Sequence, residues 1–307
     1  MSIRGIIKII LSRSFLLLIE RMIKMPQKVL HKDIRKLLRE SKRIVIKAGT
    51  STLTHGDGKV KTSVINRLTK IISSLADEGK ELVLVTSGAI GIGTGILNLP
   101  STPKDTADKQ ATAAVGQGQL MHIYSKSFAK HNKIVAQILL TKDITDDERS
   151  RKNVVNTFKS LLNKQVIPIV NENDTVSVEE IEQVRTFGDN DRLSALVAKL
   201  INADLLILLS DIDGLYDRDP RHTQDSKLIS FVDNITEDIE SSAGGAGTSR
   251  GKGGMATKIM AAKVATEAGV NMVIARGDKP EIITDIMNGK EVGTLFCAHK
   301  VRGKING

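Results

Sequence analysis

The sequence predicts an α/β fold on a largely parallel sheet, and three observations carry that reading. Asp204–Leu209 is an almost unbroken apolar run, the pattern of a parallel strand covered on both faces. Short runs of this kind alternate along the chain with longer stretches of helical character. Glycine, serine, asparagine and aspartate collect just after several of them, where an open α/β sheet binds its ligands. The 307 residues suffice for one large domain or two lobes.

In chain order, residues 28–43 carry Val29, Ile34, Leu37 and Leu38 near one helical face. Arg43–Lys47 is the first strand, and it runs into Ala48, Gly49, Thr50 and Ser51. A lysine at a strand end beside a glycine turn is placed to meet phosphate, because glycine lets backbone amides approach. The plainer alternative is an exposed strand-end lysine. Thr62–Gly79 reads as a helix closed by Gly79, and Glu81–Val85 as the second strand. After it come Thr86-Ser87-Gly88-Ala89-Ile90-Gly91-Ile92-Gly93, small residues against which a substrate can lie, with the Ser87 hydroxyl among them. The glycines run G-x-x-G-x-G rather than in the dinucleotide order, and no acidic residue ends the next strand, so no nicotinamide cofactor is expected. Ala107–Lys130 is a helix interrupted by Gly116-Gln117-Gly118, glycines that cost helix stability and point to close packing rather than function. Lys133–Leu140 is a strand, and the amphipathic helix Asp146–Lys164 leads into Gln165–Val170, expected as the central strand.

The stretch from Val166 to Asp191 organises the rest. Its buried strand delivers Asn171-Glu172-Asn173-Asp174; a polar excursion with Glu179, Glu180 and Glu182 follows, and then Phe187-Gly188-Asp189-Asn190-Asp191. Two Asn/Asp clusters so close together supply carboxylates and amides able to hold an amino group, a carboxylate or a metal-bound phosphate. The excursion has the length of a lid or substrate loop. Asp189 or Asn190 can cap the helix Asp191–Ile201, and capping is the plain role for both.

The apolar strand ends in Ser210-Asp211-Ile212-Asp213-Gly214, which starts like a calcium loop but lacks the later ligands, so a turn carrying a nucleotide-facing aspartate is the better reading. Gly244–Gly254 is the most glycine-rich stretch and opens the helix Met255–Gly269, which contains Lys258. Glycines at a helix N-terminus with lysines nearby make an anion site. The Walker pattern fails, since Ala246 stands five residues before Gly251 and Gly253 follows Lys252. Strand Asn271–Ala275, a short helix from Lys279 and strand Gly293–Phe296 close the chain.

Composition narrows the function. Aromatic residues make up 3% with no Trp, which argues against stacking platforms for single-stranded nucleic acid. Of the +10 net charge, residues 1–43 hold 12 basic and 3 acidic side chains, leaving 33 basic against 32 acidic in a nearly neutral body. Such an arm can meet nucleic acid or an anionic membrane, and a solvated extension is the plainer reading. No uncharged run reaches the roughly 18 residues that a spanning helix needs. The single Cys297 allows no internal disulfide, fits a reducing compartment, and is expected as a small core residue. The six histidines are scattered and form no candidate catalytic set.

Taken together, the motifs resemble the glutamate 5-kinase family of the amino acid kinase superfamily over roughly residues 42–298. The resemblance rests on Ile46-Lys47-Ala48-Gly49-Thr50-Ser51, Val85-Thr86-Ser87-Gly88-Ala89, Asn171-Glu172-Asn173-Asp174, Gly188-Asp189-Asn190-Asp191, Ser210-Asp211 with Gly214-Leu215-Tyr216, and Gly253-Gly254-Met255-Ala256-Thr257-Lys258. Each motif alone is weak, but their common order is specific. It implies a three-layer α/β sandwich with a mostly parallel central sheet of about eight strands. It implies phosphorylation of the γ-carboxylate of L-glutamate by ATP with Mg²⁺, the first step toward proline, feedback inhibition by proline in many members, and cytoplasmic dimers or tetramers. By matching position, Ser87, Asp174 and Asn190 would hold glutamate with support from Asn171. Lys47, Ser210, Asp211 and the run Lys252, Gly253, Gly254, Met255, Ala256, Thr257, Lys258 would hold ATP. Lys47 and Lys258 would stabilise the transferring phosphoryl group, and Asp191 would orient them. No metal site built by the protein alone, no nucleic-acid partner and no stable membrane insertion are expected. The implied organisation is an N-terminal extension over 1–41, a kinase domain over 42–298 and a tail over 299–307. The RNA-modification-type (PUA) domain that many members append is not expected. A sister kinase acting on acetylglutamate, aspartate, carbamate or UMP, and a non-catalytic sensor, are the competing readings. The clustered carboxylates favour a free α-amino substrate, and the two lysines favour catalysis.

Overall fold

A computed structural model describes residues 33–55, 59–141, 146–176, 190–220, 223, 225–243 and 254–298. A helical stretch ending in a 3-10 turn (Leu38–Glu40) precedes β1 (Arg43–Ala48), the single turn α1 (Thr50–Leu53), α2 (Thr62–Asp77), β2 (Glu81–Thr86), α3 (Ala89–Ile96) and α4 (Thr106–Ala129). Next come β3 (Val135–Leu140), α5 (Glu148–Asn163), β4 (Ile167–Glu172), α6 (Asn190–Leu200) and β5 (Leu205–Ser210). The last part holds β6 (Phe231–Val232), α7 (Glu237–Ala243), α8 (Met255–Glu267), β7 (Asn271–Arg276), α9 (Ile282–Met287) and β8 (Thr294–Phe296). The Asp105 carboxylate caps α4 by accepting from Asp108 N at 3.1 Å, and Asp147 caps α5 by accepting from Ser150 N at 2.8 Å.

The strands form one eight-stranded sheet in the order β3-β4-β2-β1-β5-β7-β8-β6, parallel except for the β7–β8 pair. Side-chain alternation sorts the sheet into two apolar layers. Ile44, Ile46, Leu82, Leu84, Ile169, Leu205 and Ile207 pack with Leu68 and Ile72 of α2 and Leu120, Tyr124 and Phe128 of α4. Val45, Val83, Val85, Val170, Leu206 and Leu208 pack with Phe158 of α5, Ala195 and Ala198 of α6, and Ala261, Ala262 and Ala265 of α8. The three-layer sandwich and its eight strands match the expectation.

Several local readings change. Gln165–Val170 was expected at the centre, but β4 lies second from one edge and β1 and β5 occupy the middle. An apolar run reports burial, and strand order is settled by non-local pairing. The helix α3 forms despite Gly91, Gly93 and Gly95, and at Gly93 its packing requires glycine: a Cβ there would lie 1.9 Å from the Thr112 carbonyl oxygen. Cys297 is half-buried beyond the end of β8 rather than a core residue. Of the expected N-terminal extension, residues 33–41 pack onto the domain, with Leu38, Arg35 and Ser41 buried. The Arg35 guanidinium donates to the carbonyls of Ser230 (2.5 Å), Val292 (2.9 Å), Lys290 (3.2 Å) and Gly293 (3.2 Å). Residues 1–32, the polar excursion over 177–189, the glycine-rich run over 244–253 and the tail over 299–307 lie outside the described residues.

Candidate active site

Lys47 shares its face of β1 with Val45, so alternation aims it at the α6 and α8 side of the sheet. Gly49 keeps the space beside its ammonium clear: a Cβ there would sit 3.0 Å from Lys47 Nζ. Across that space stands Asp191 in the first turn of α6, where the helix dipole favours a carboxylate. Lys258 reaches the same carboxylate from the first turn of α8. Lys47 Nζ lies 2.6 Å from Asp191 Oδ1 and Lys258 Nζ lies 2.9 Å from Oδ2, so one carboxylate spaces two ammonium groups. Asp191 is 0% exposed and each lysine 6%. Burial alone would push the Asp191 carboxyl up; the charges and hydrogen bonds of Lys47 and Lys258 outweigh it and hold the group below the ordinary carboxylate range. The triad keeps one net positive charge in a place from which water is largely excluded, a setting suited to a polyanion.

The amide half-site begins one residue earlier. Asn190 Nδ2 is within hydrogen-bonding distance of Thr86 O (2.6 Å), Ser87 Oγ (2.7 Å) and Asn171 Oδ1 (2.9 Å). The Thr86 carbonyl can only accept, which fixes the Asn190 amide with its NH₂ group toward β2. Ser87 Oγ accepts from Asn190 in this arrangement, so its own hydrogen is free to donate to a carboxylate. Asn171 Oδ1 also accepts from Glu172 N at 2.9 Å, and Asn171 Nδ2 donates to Gln117 Oε1 at 2.9 Å. Asp174 sits half-buried in the turn that follows β4, three residues beyond Asn171. Behind this network Tyr124 OH and Thr86 Oγ1 are 2.9 Å apart, and burial pushes the Tyr124 hydroxyl far above its usual value.

Parallel pairing of β1 with β2 and β5, and of β2 with β4, puts Lys47, Ser87, Asn171 and Ser210 at one edge of the sheet. Ser210 Oγ donates to Asp211 Oδ1 at 3.0 Å. Gly254 precedes α8 and its carbonyl accepts from Thr257 Oγ1 at 2.8 Å, while Met255 and Ala256 provide the first backbone amides of the helix. Lys252 and Gly253 lie outside the described residues. The sites anticipated from the sequence therefore fall into two joined groups, Lys47–Asp191–Lys258 and Ser87–Asn190–Asn171. Ser210, Asp211 and the start of α8 share their sheet edge.

Two features escaped the sequence reading. Gln117, read as part of a packing motif, enters the amide network. Asp213 accepts from Arg276 Nε at 2.6 Å and from Tyr216 OH at 3.0 Å; chiefly the Arg276 hydrogen bond lowers its carboxyl below the usual range. Arg276 reaches it because β5 and β7 register Ser210 beside Arg276.

Among the described residues no group of three or more His, Cys, Asp and Glu side chains could hold a metal ion. Both Asp191 oxygens are engaged by lysines.

Comparison with known proteins agrees with this geometry. The profile of the amino acid kinase family matches residues 42–276. The chain is 55% identical over 267 residues to a glutamate 5-kinase of Clostridium perfringens (strain 13 / Type A), covering 87% of this chain and 99% of that one. It is 52% identical over 267 residues to a glutamate 5-kinase of Listeria innocua, covering 87% and 97%. Among solved structures, carbamate kinase from Giardia lamblia bound to AMP-PNP superposes with a TM-score of 0.60 at 16% identity, over 85% of this chain and 100% of that one. The isopentenyl phosphate kinase product complex of T. acidophilum gives 0.58 at 17% identity, over 83% and 99%. At such identities the structures speak for the fold alone. With that fold, these relatives and the family profile in agreement, the chain belongs to the amino acid kinase family, in its glutamate 5-kinase branch.

Proposed function

We propose that this chain transfers the γ-phosphoryl group of ATP to the γ-carboxylate of L-glutamate, giving L-glutamyl 5-phosphate and ADP, the first step toward proline. The observation that carries this reading is the junction at Asn190 and Asp191. One residue belongs to an amide pocket suited to an amino acid and the next spaces two ammonium groups suited to a triphosphate.

Ser87 donates to a carboxylate oxygen of glutamate; the Asn190 and Asn171 amides and the Asp174 carboxylate receive its polar groups, Asp174 pairing with the α-ammonium. Lys47, Ser210, Asp211 and the run Lys252–Lys258 hold ATP, and Mg²⁺ brought in with the nucleotide would offset the charge of its phosphates. A carboxylate oxygen of glutamate attacks the γ-phosphorus as the bond to the β–γ bridging oxygen breaks and ADP departs. The acceptor is already an anion, so no general base takes part, and catalysis rests on positioning and charge. Lys47 and Lys258 turn their ammonium hydrogens toward the equatorial oxygens while Asp191 keeps them apart. Proline carries the same α-carboxylate and a cationic amine, which supports feedback inhibition. Exposed Ile96, Leu97 and Val115 on the packed helices α3 and α4 support assembly as a dimer or tetramer. No helix among the described residues is long and apolar enough to cross a membrane.

The test is an assay of the full chain with ATP, Mg²⁺ and hydroxylamine. Hydroxamate forms with L-glutamate and not with N-acetylglutamate or aspartate. Equal turnover of aspartate would overturn the substrate assignment.

A further inference from the structure

We propose that Gln117 is a positioning residue for the amino-acid half-site, acting through Asn171; the inference rests on the reading of that half-site given above. Alternation along β4 sets Asn171 on the face of Ile167 and Ile169, and alternation along β2 sets Thr86 on the face of Leu82 and Leu84. Both strands thereby turn a polar end toward α4. Gln117 and Tyr124 stand two helical turns apart on α4 and meet these two ends, Gln117 at Asn171 and Tyr124 at Thr86. The neighbouring Gly116 lets α4 pack closely on α3, where a Cβ would lie 1.8 Å from the Ala89 carbonyl oxygen. A sequence motif that reads as packing therefore also delivers an amide to the site.

The direction of that amide matters. Gln117 Oε1 takes the Asn171 NH₂ group, which leaves Asn171 Oδ1 turned toward Glu172 N and Asn190 Nδ2. If the Gln117 acceptor is removed, the Asn171 NH₂ group is stranded. Rotating the Asn171 amide to find another acceptor sets donor against donor at both Glu172 N and Asn190, and Asn190 in turn holds Ser87. The chain Gln117–Asn171–Asn190–Ser87 thus passes one polarity from α4 to the hydroxyl that meets the substrate.

A second observation separates this from ordinary packing. Gln117 Nε2 is buried and has no hydrogen-bond partner among the described residues. A hydrocarbon side chain at 117 would remove that donor but strand the Asn171 NH₂ group in its place, so the glutamine's hydrogen-bonding role in this network runs through its oxygen.

The experiment compares the full-length protein with Gln117→Leu, Gln117→Glu, Asn171→Ala and the Gln117→Leu/Asn171→Ala double variant by steady-state kinetics and thermal unfolding. Gln117→Leu raises the KM for glutamate about tenfold or more, with kcat and the KM for ATP changed about twofold or less and Tm not lowered. Gln117→Glu, which keeps an acceptor for Asn171, recovers most of that loss. On the Asn171→Ala background, Gln117→Leu adds less than about twofold, because the residue through which it acts is gone. An unchanged glutamate KM in Gln117→Leu, or a full multiplicative effect in the double variant, overturns the proposal. If Gln117→Leu does not fold, Gln117→Asn withdraws the acceptor by one methylene and carries the same expectations. Failure of the unaltered protein to use glutamate sinks the underlying reading as well. Normal wild-type activity with an indifferent Gln117 variant sinks only this inference.

Discussion

Asn190 and Asp191 are consecutive residues in the first turn of α6, and their side chains serve opposite halves of the site. Asn190 Nδ2 reaches Ser87 Oγ at 2.7 Å, while the Asp191 carboxylate reaches Lys47 Nζ at 2.6 Å and Lys258 Nζ at 2.9 Å. In the proposed function, this helical start links the place for an amino acid to the place for a polyphosphate. Reacting groups held by one turn need little reorganisation, which is how a kinase without covalent chemistry gains rate.

Replacing Asp191 with Asn leaves two buried ammonium groups without their common partner. Breaking a buried ion pair from one side costs about 3–5 kcal/mol. Denaturant unfolding of Asp191→Asn shows a loss of that size without nucleotide and a smaller loss with saturating ATP and Mg²⁺, because the phosphates take over the lysines.

The pH dependence has a definite sign. The Asp191 carboxyl titrates below its ordinary value in the folded protein, so its contribution to stability is complete above the unfolded value of about 3.9. It is lost as pH falls through the depressed folded value. The stability difference between the unaltered protein and Asp191→Asn therefore stays level from neutral pH down to about pH 5 and shrinks only near and below about pH 4. A difference that shrank between pH 8 and 6 would contradict the assignment.

Lys47→Ala and Lys258→Ala each remove one of the two ammonium groups that the proposed function turns toward the phosphoryl group. Single donors of this type are worth about 10²–10³ in turnover. Steady-state kinetics give that loss in kcat with a glutamate KM changed only a few-fold.

Arg35 ties residues before β1 to the far edge of the sheet. Arg35→Ala leaves four carbonyls without their shared donor and lowers stability by about 1–3 kcal/mol or more. Removing residues 1–41 lowers Tm through the loss of Arg35 and Leu38.

Two glycines of one motif behave oppositely on substitution. Gly116→Ala drives a methyl group into the Ala89 carbonyl and costs about 1–3 kcal/mol or more. Gly118→Ala meets nothing within 4 Å and gains about 1 kcal/mol from helix propensity. Thermal unfolding of the two variants separates them by sign.

Much of this architecture is legible in the residues, for reasons that differ by element. Leu205–Ser210 is wholly buried, and its apolar run reports that directly. Lys47, Ser87 and Asn171 follow apolar runs and so announce strand ends, although their roles came from the resemblance. Sheet order is not local, so β4 could not be placed beside the edge. The helix α3 hid behind glycines that usually break helices. Gln117 looked like any helical glutamine, since its partner Asn171 stands 54 residues away. Asp213 and Arg276, 63 residues apart, meet only through strand register.

A crystal structure with L-glutamate, Mg²⁺ and a non-hydrolysable ATP analogue tests the central claim most directly. The account predicts a glutamate γ-carboxylate oxygen about 3–3.5 Å from the γ-phosphorus, in line with the leaving oxygen, with Lys47 Nζ and Lys258 Nζ on the transferring group. Ligands lodged in separate cavities, or a glutamate whose γ-carboxylate points away from the two lysines, would contradict it.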